Sequence, residues 1–215
     1  MKQLNTFISE KLLIKNKPTK VEQTFFPETI HELKEMINSE IEKHGFECSL
    51  NHICTSKITS MSGLFSSRNS NFKKISRFNG DISLWDVSNV TNMSGMFEES
   101  YFDGDLSKWD VSNVQTMESM FDNSKYTGEN GDISDWDISN VRDMSFMFYE
   151  NTEYKGDISS WNVSTVKNMD GMFKDSLYDG DITMWDISKD CSIEAMLAGS
   201  QIYRNGKYPK YLSRR

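Results

Sequence analysis

Two columns of acidic residues are the first candidates for chemistry. Asp81, Asp105, Asp132, Asp157 and Asp181 stand four residues before the five tryptophans Trp85, Trp109, Trp136, Trp161 and Trp185. Asp86, Asp110, Asp137, Asn162 and Asp186 directly follow them, each with a serine two positions on. Paired carboxylates can serve a glycosidase as acid and base, and several oxygens together can hold calcium. Strict periodicity points to structure instead, and no multi-oxygen loop accompanies the columns. On neighbouring strands about 4.8 Å apart, the carboxylates would repel by roughly 1 kcal/mol even in water. Serine hydroxyls and turn N–H groups are the expected compensation, and turn chemistry is the reading of the first column. Elsewhere the inventory is thin. His31, His44 and His52 all precede the regular pattern, with no partner ligand at a metal-binding spacing. No serine or cysteine has a visible base, and no glycine-rich phosphate loop occurs. Cys48, Cys54 and Cys191 are an odd set without ligand spacing, expected as reduced thiols of an intracellular protein. The expectation is a chain that is not an enzyme and carries no cofactor and no metal.

These residues are carried by an internal repeat. Gly80–Phe97 reads GDISLWDVSNVTNMSGMF, and copies recur at Gly104–Phe121, Gly131–Phe148, Gly156–Phe173 and Gly180–Leu197, with a faint earlier one at Cys48–Phe65. A unit this short buries its apolar side only against its neighbours. Ile82, Trp85 and Val87 have the L-x-x-L-x-L spacing of a strand, and Val90, Met93, Met96 and Phe97 have that of a short helix face, capped by Ser88 or Asn89. Gly80 supplies a flexible turn. The fold class expected is therefore α/β: a leucine-rich-repeat-like solenoid of about six strand–helix turns with an N-terminal helical cap. The tryptophan and Met/Phe columns are expected in its core.

The block G-D-[IL]-S-x-W-[DN]-[VI]-S-x-V-x-x-M-x-x-M-F resembles the surface-protein repeats of the BspA-like, DUF285 class over about residues 48–203. The resemblance implies a leucine-rich-repeat-like fold and an adhesive or protein-binding surface. The leader at residues 1–17 resembles N-terminal stretches of gut-bacterial tailed-phage proteins.

Four segments follow: a leader and linker (1–20), a helical cap (21–47), the repeats (48–203) and a basic tail (204–215). Pro27–His44 carries the stripe Ile30, Leu33, Ile37 and Ile41, a Thr29/Glu32 capping pair and a stop at Gly45. The tail is expected to be flexible, with a binding arm as the other reading. Residues 1–17 are either a loosely docked terminus or a docking tag. The chain's net charge of −8 is uneven. Residues 80–190 carry seven Lys/Arg against twenty-three Asp/Glu, while the flanks 1–79 and 191–215 are each +4. An acidic middle excludes nucleic acid along the repeats, since phosphate contacts need cations. No stretch has the roughly 20 apolar residues of a membrane span, and the N-terminus lacks the pattern of a signal peptide.

One column varies freely. Leu84, Lys108, Asp135, Ser160 and Met184 occupy equivalent outward positions on the expected strands, while the neighbouring Asp86, Asp110, Asp137, Asn162 and Asp186 hardly change. An adapted binding surface gives this pattern, and so does relaxed constraint. The ten residues form the candidate protein-binding site. The function expected is a non-enzymatic protein-binding or scaffolding chain, cytoplasmic or virion-associated and of phage or bacterial origin. The alternative is a cell-surface adhesin for host protein or glycan.

Overall fold

The structure, a computed structural model, describes residues 21–68 and 71–214, so the leader lies outside the described residues. The chain opens with an extended segment in which Phe25 pairs in parallel with Ile53. Helix α1 (Ile30–His44) follows. Its Thr29 N-cap accepts the Glu32 N–H at 3.2 Å, and the Glu32 carboxylate accepts the N–H of Glu28 at 2.8 Å. Gly45 ends the helix at φ 85°. The stripe works as expected: Leu33, Ile37 and Ile41 are buried in the same core as Met61 and Leu64 of the first copy.

The repeats do stack, but not as strands and helices. Among the described residues, pairing consists of isolated parallel bridges, running Ser60–Asn92–Thr116–Asp143–Asn168–Ser192 from copy to copy. The helices among the described residues are α1, a short α2 (Gln201–Asn205), and two 3₁₀ turns at Lys73–Arg77 and Lys210–Arg214. The α/β leucine-rich-repeat-like solenoid of strand–helix turns is thus overturned. At the expected strand, the Trp85 N–H bonds to Ile82 O at 3.1 Å, closing a turn where an extended chain was expected. At the expected helix, Gly95 and Glu99 sit at φ 61° and 50°. A helix cannot pass through left-handed residues, because its N–H groups must all point back along one axis.

What replaces the helix is a turn of alternating hand. The N–H groups of Met93, Gly95, Phe97 and Glu99 donate forward to the carbonyls of Thr116, Glu118, Met120 and Asp122, at 2.7–3.0 Å. Between them, Met96 and Glu98 close local turns on Met93 and Gly95. The same four forward bonds occur at each of the five junctions between copies. Among the described residues, seven non-glycine residues take φ between 45° and 58° to keep the pattern, Ser119, Phe146 and Ala195 standing where Gly95 and Gly171 stand in other copies. Each left-handed residue costs roughly 1–2 kcal/mol. Four bonds per junction at about 1 kcal/mol each offset such residues, of which no copy has more than two among the described residues.

The core is a set of columns along the stack. The tryptophans are 2–5% exposed, and each indole N–H donates to a carbonyl of the preceding copy, as Trp136 does to Leu106 O at 3.1 Å. Phe65, Phe97, Phe121, Phe148 and Phe173 stack at 5.4–5.7 Å between ring centroids. A second column, Phe78, Phe102, Tyr126, Tyr154 and Tyr178, packs beside the first at 4.4–5.3 Å. The tips of these second rings explain three of the turn glycines. A Cβ on Gly104 would lie 2.7 Å from the Phe102 ring, one on Gly156 2.5 Å from the Tyr154 hydroxyl, and one on Gly180 1.8 Å from that of Tyr178. Space, rather than backbone flexibility, is what glycine supplies there.

The basic tail is docked. Leu212 is buried, and the Tyr211 hydroxyl accepts the Ile187 N–H and donates to Trp185 O. Ile202 of α2 is fully buried.

Candidate functional site

Each residue of the variable column sits on a corner of the same construction. A buried Ile or Leu carbonyl accepts the tryptophan N–H three residues on, at 3.0–3.2 Å, in all five copies. The preceding aspartate accepts the N–H of the first corner residue: Ser83 to Asp81 at 2.9 Å, Ser107 to Asp105 at 2.8 Å, Ser134 to Asp132 at 2.8 Å, Ser159 to Asp157 at 2.9 Å and Thr183 to Asp181 at 2.8 Å. The second corner residue is the candidate. Leu84, Lys108, Asp135, Ser160 and Met184 are all exposed, Leu84 by 52% and Met184 by 87%. They stand on turn corners, not on the strands expected, and buried side chains on either side hold each corner in place. The first acidic column is turn chemistry, as its position after the glycine indicated.

The second acidic column lies beside these corners, with Asp86, Asp110, Asp137, Asn162 and Asp186 all exposed. The Ser88 N–H and hydroxyl donate to Asp86 at 3.1 and 2.6 Å, and Ser112 does the same for Asp110. Ser139 donates its N–H to Asp137, and Ser164 both groups to Asn162. These donors outweigh the neighbouring charge. The Ser112 hydroxyl, then its N–H, hold the Asp110 carboxyl below its usual range, although Asp137 pushes the other way. Asp137 is lowered likewise by Ser139. The carboxylates are therefore locally satisfied, and among the described residues no cluster of His, Cys, Asp and Glu is arranged to hold a metal ion.

A second polar cluster was not anticipated. Arg68 reaches Glu98 at 3.0 Å, Glu99 at 3.4 Å and Asp122 at 3.9 Å, across two successive copies. Asp122 is 5% exposed. Burial, then the nearby Glu98 charge, push its carboxyl up to about 7. The signal was present in the alignment of copies, since Glu98 and Asp122 occupy the same position in consecutive repeats. The histidines stay apart from both clusters: His31 and His44 are exposed on α1, and His52 faces Glu40 at 3.2 Å. Cys48 and Cys54 are free thiols.

No described helix is long and apolar enough to cross a membrane. The model of the family described as "Mycoplasma protein of unknown function, DUF285" matches residues 31–130 and 124–210. No curated protein and no solved structure matches the chain.

Proposed function

We propose, from the premise that this chain belongs to the DUF285 family, that it is a non-enzymatic protein-binding chain whose corner column meets the partner. One observation carries the reading. Five structurally equivalent corners, each fixed by the same buried flanks, present five different side chains to solvent, with apolar Leu84 and Met184 at the two ends. Leu84 and Met184 put apolar surface at both ends of an otherwise polar row, Met184 being exposed by 87%. Substitution at a corner leaves the columns beneath intact, so this surface can diversify at little cost to folding. The adjacent Asp86, Asp110, Asp137 and Asp186 would steer a basic partner surface onto it.

The test is a variant with Leu84, Lys108 and Met184 all changed to serine. Its melting curve should match that of the parent, because none of the three contributes to the core. Quantitative pull-down from the native host should then lose the partners that the parent retains. Retention of the same partners would place binding elsewhere.

A further inference from the structure

The alternating turns give every copy a row of four forward-pointing N–H groups, and in five copies the next copy's carbonyls cover it. In the sixth copy the equivalent groups belong to Ile193, Ala195, Leu197 and Gly199. They donate to no acceptor among the described residues. The carbonyls of Ser192, Glu194, Met196 and Ala198 are engaged backwards, by Met169, Gly171, Phe173 and Asp175. The row of four at this end of the stack is therefore made of donors alone. Beside it lies an apolar groove of about 410 Å³, lined by Ala195, Leu197, Tyr203, Tyr208 and Leu212 among others. At the opposite end α1 meets the first copy, with Glu40 3.2 Å from His52, and packs against the 3₁₀ turn Lys73–Arg77, whereas α2 is a five-residue helix beside the open groove.

We propose that this edge docks a segment of another polypeptide that follows the repeat's own pattern, offering carbonyls at alternate residues and apolar side chains to the groove. Donors must face acceptors, so two copies of this chain cannot pair through their sixth-copy edges. Nor does a second copy offer a fully open acceptor row: its second to sixth copies have theirs engaged, and at its first copy two of the four residues, Leu64 and Ser66, are buried. The form of the occupant is written in the stack itself. Residues 166–176 (VKNMDGMFKDS) cover the row before them, with Asn168, Asp170, Met172 and Lys174 accepting from Met144, Phe146, Phe148 and Glu150 at 2.9 Å each.

The probe is a synthetic peptide of residues 166–176, added to the ¹⁵N-labelled full chain. In the free chain the amides of 193, 195, 197 and 199 should exchange at least about tenfold faster than those of 169, 171, 173 and 175. The peptide should shift and slow the four open amides saturably, and a scrambled peptide should not. Leu197→Pro removes one donor and should weaken the peptide. If that variant is unfolded, the exchange measurement on the unaltered chain decides alone. The proposal is overturned if the four amides are already slow in the free monomer, if they slow only as the chain self-associates, or if the peptide leaves them unmoved.

Discussion

Trp136 sits midway along the indole column, 5% exposed and stacked on Trp161 at 6.5 Å with the rings 5° apart. Its N–H also ties its copy to the one before. Trp136→Ala should cost roughly 3–5 kcal/mol, read as a fall in the urea midpoint at unchanged slope. A loss under about 1 kcal/mol would mean that the column carries little of the core. Asp122 makes the opposite kind of prediction. Its folded-state carboxyl titrates near 7, while an unfolded aspartate titrates near about 4. Between those values the folded chain holds a proton that the unfolded chain has released. Stability is therefore highest, as far as this group decides, below about pH 4, and falls as pH rises through 7. Asp122→Asn should raise the melting temperature by a few degrees at pH 8 and leave it unchanged near pH 4. A variant with the same advantage at both values would show that charge is not the cause. At this scale the sequence was informative: the tryptophan and Met/Phe columns are buried as their spacing required, and the serines satisfy the aspartates. The shared position of Asp122 and Glu98 was legible in the alignment of copies, but the burial of Asp122 was not, because a carboxylate's burial depends on the copies above and below it.

The elements were harder to read. α1 was legible because a stripe, a capping pair and a stop agree on one answer. The repeat itself was misread for a physical reason. Apolar residues at Val90, Met93, Met96 and Phe97 satisfy one face of a helix, and they satisfy a turn of alternating hand equally well. The left-handed positions would have separated the two, but glycine fills only some of them, and Ser119, Phe146 and Ala195 conceal the requirement elsewhere. The second aromatic column was hidden by the change from phenylalanine to tyrosine and by the longer connection between Tyr126 and Gly131. Its signature is an aromatic residue two positions before the turn glycine, as in Phe78–Gly80, Phe102–Gly104, Tyr154–Gly156 and Tyr178–Gly180. Gly156→Ala should therefore destabilise by about 1–3 kcal/mol, since its methyl would meet the Tyr154 hydroxyl. Tyr154→Phe in the same chain should recover part of that loss. Strict additivity of the two changes in urea unfolding would show that the contact is not the reason for glycine.

The whole molecule is a sum of neighbouring junctions, which makes its length adjustable. Deleting residues 104–130 joins Asp103 to Gly131 and recreates the Phe-Asp-Gly-Asp sequence at the seam. The shortened chain should fold cooperatively with one repeat fewer and a smaller denaturant slope, in proportion to the surface lost. Deleting residues 104–116 instead leaves the columns out of register and should abolish cooperative unfolding. A cooperative product from both deletions would contradict repeat-by-repeat stacking. The forward bonds have an electrical consequence as well. At each junction four peptide groups point their N–H along the stack in one direction, while backbone bonds such as Thr91 to Thr59 and Tyr101 to Ser76 oppose them in smaller number. Aligned peptide dipoles add, as they do in a helix, but here the sum runs across the chain direction, from copy to copy. Its positive pole emerges at the sixth copy, which the cationic Arg204, Lys207 and Lys210 follow in the chain. Residues 80–190 carry seven Lys/Arg against twenty-three Asp/Glu. A molecule of net charge −8 thus offers an approaching anion one attractive face, and two such molecules meeting in solution feel a torque that turns one's positive end towards the other's acidic flank.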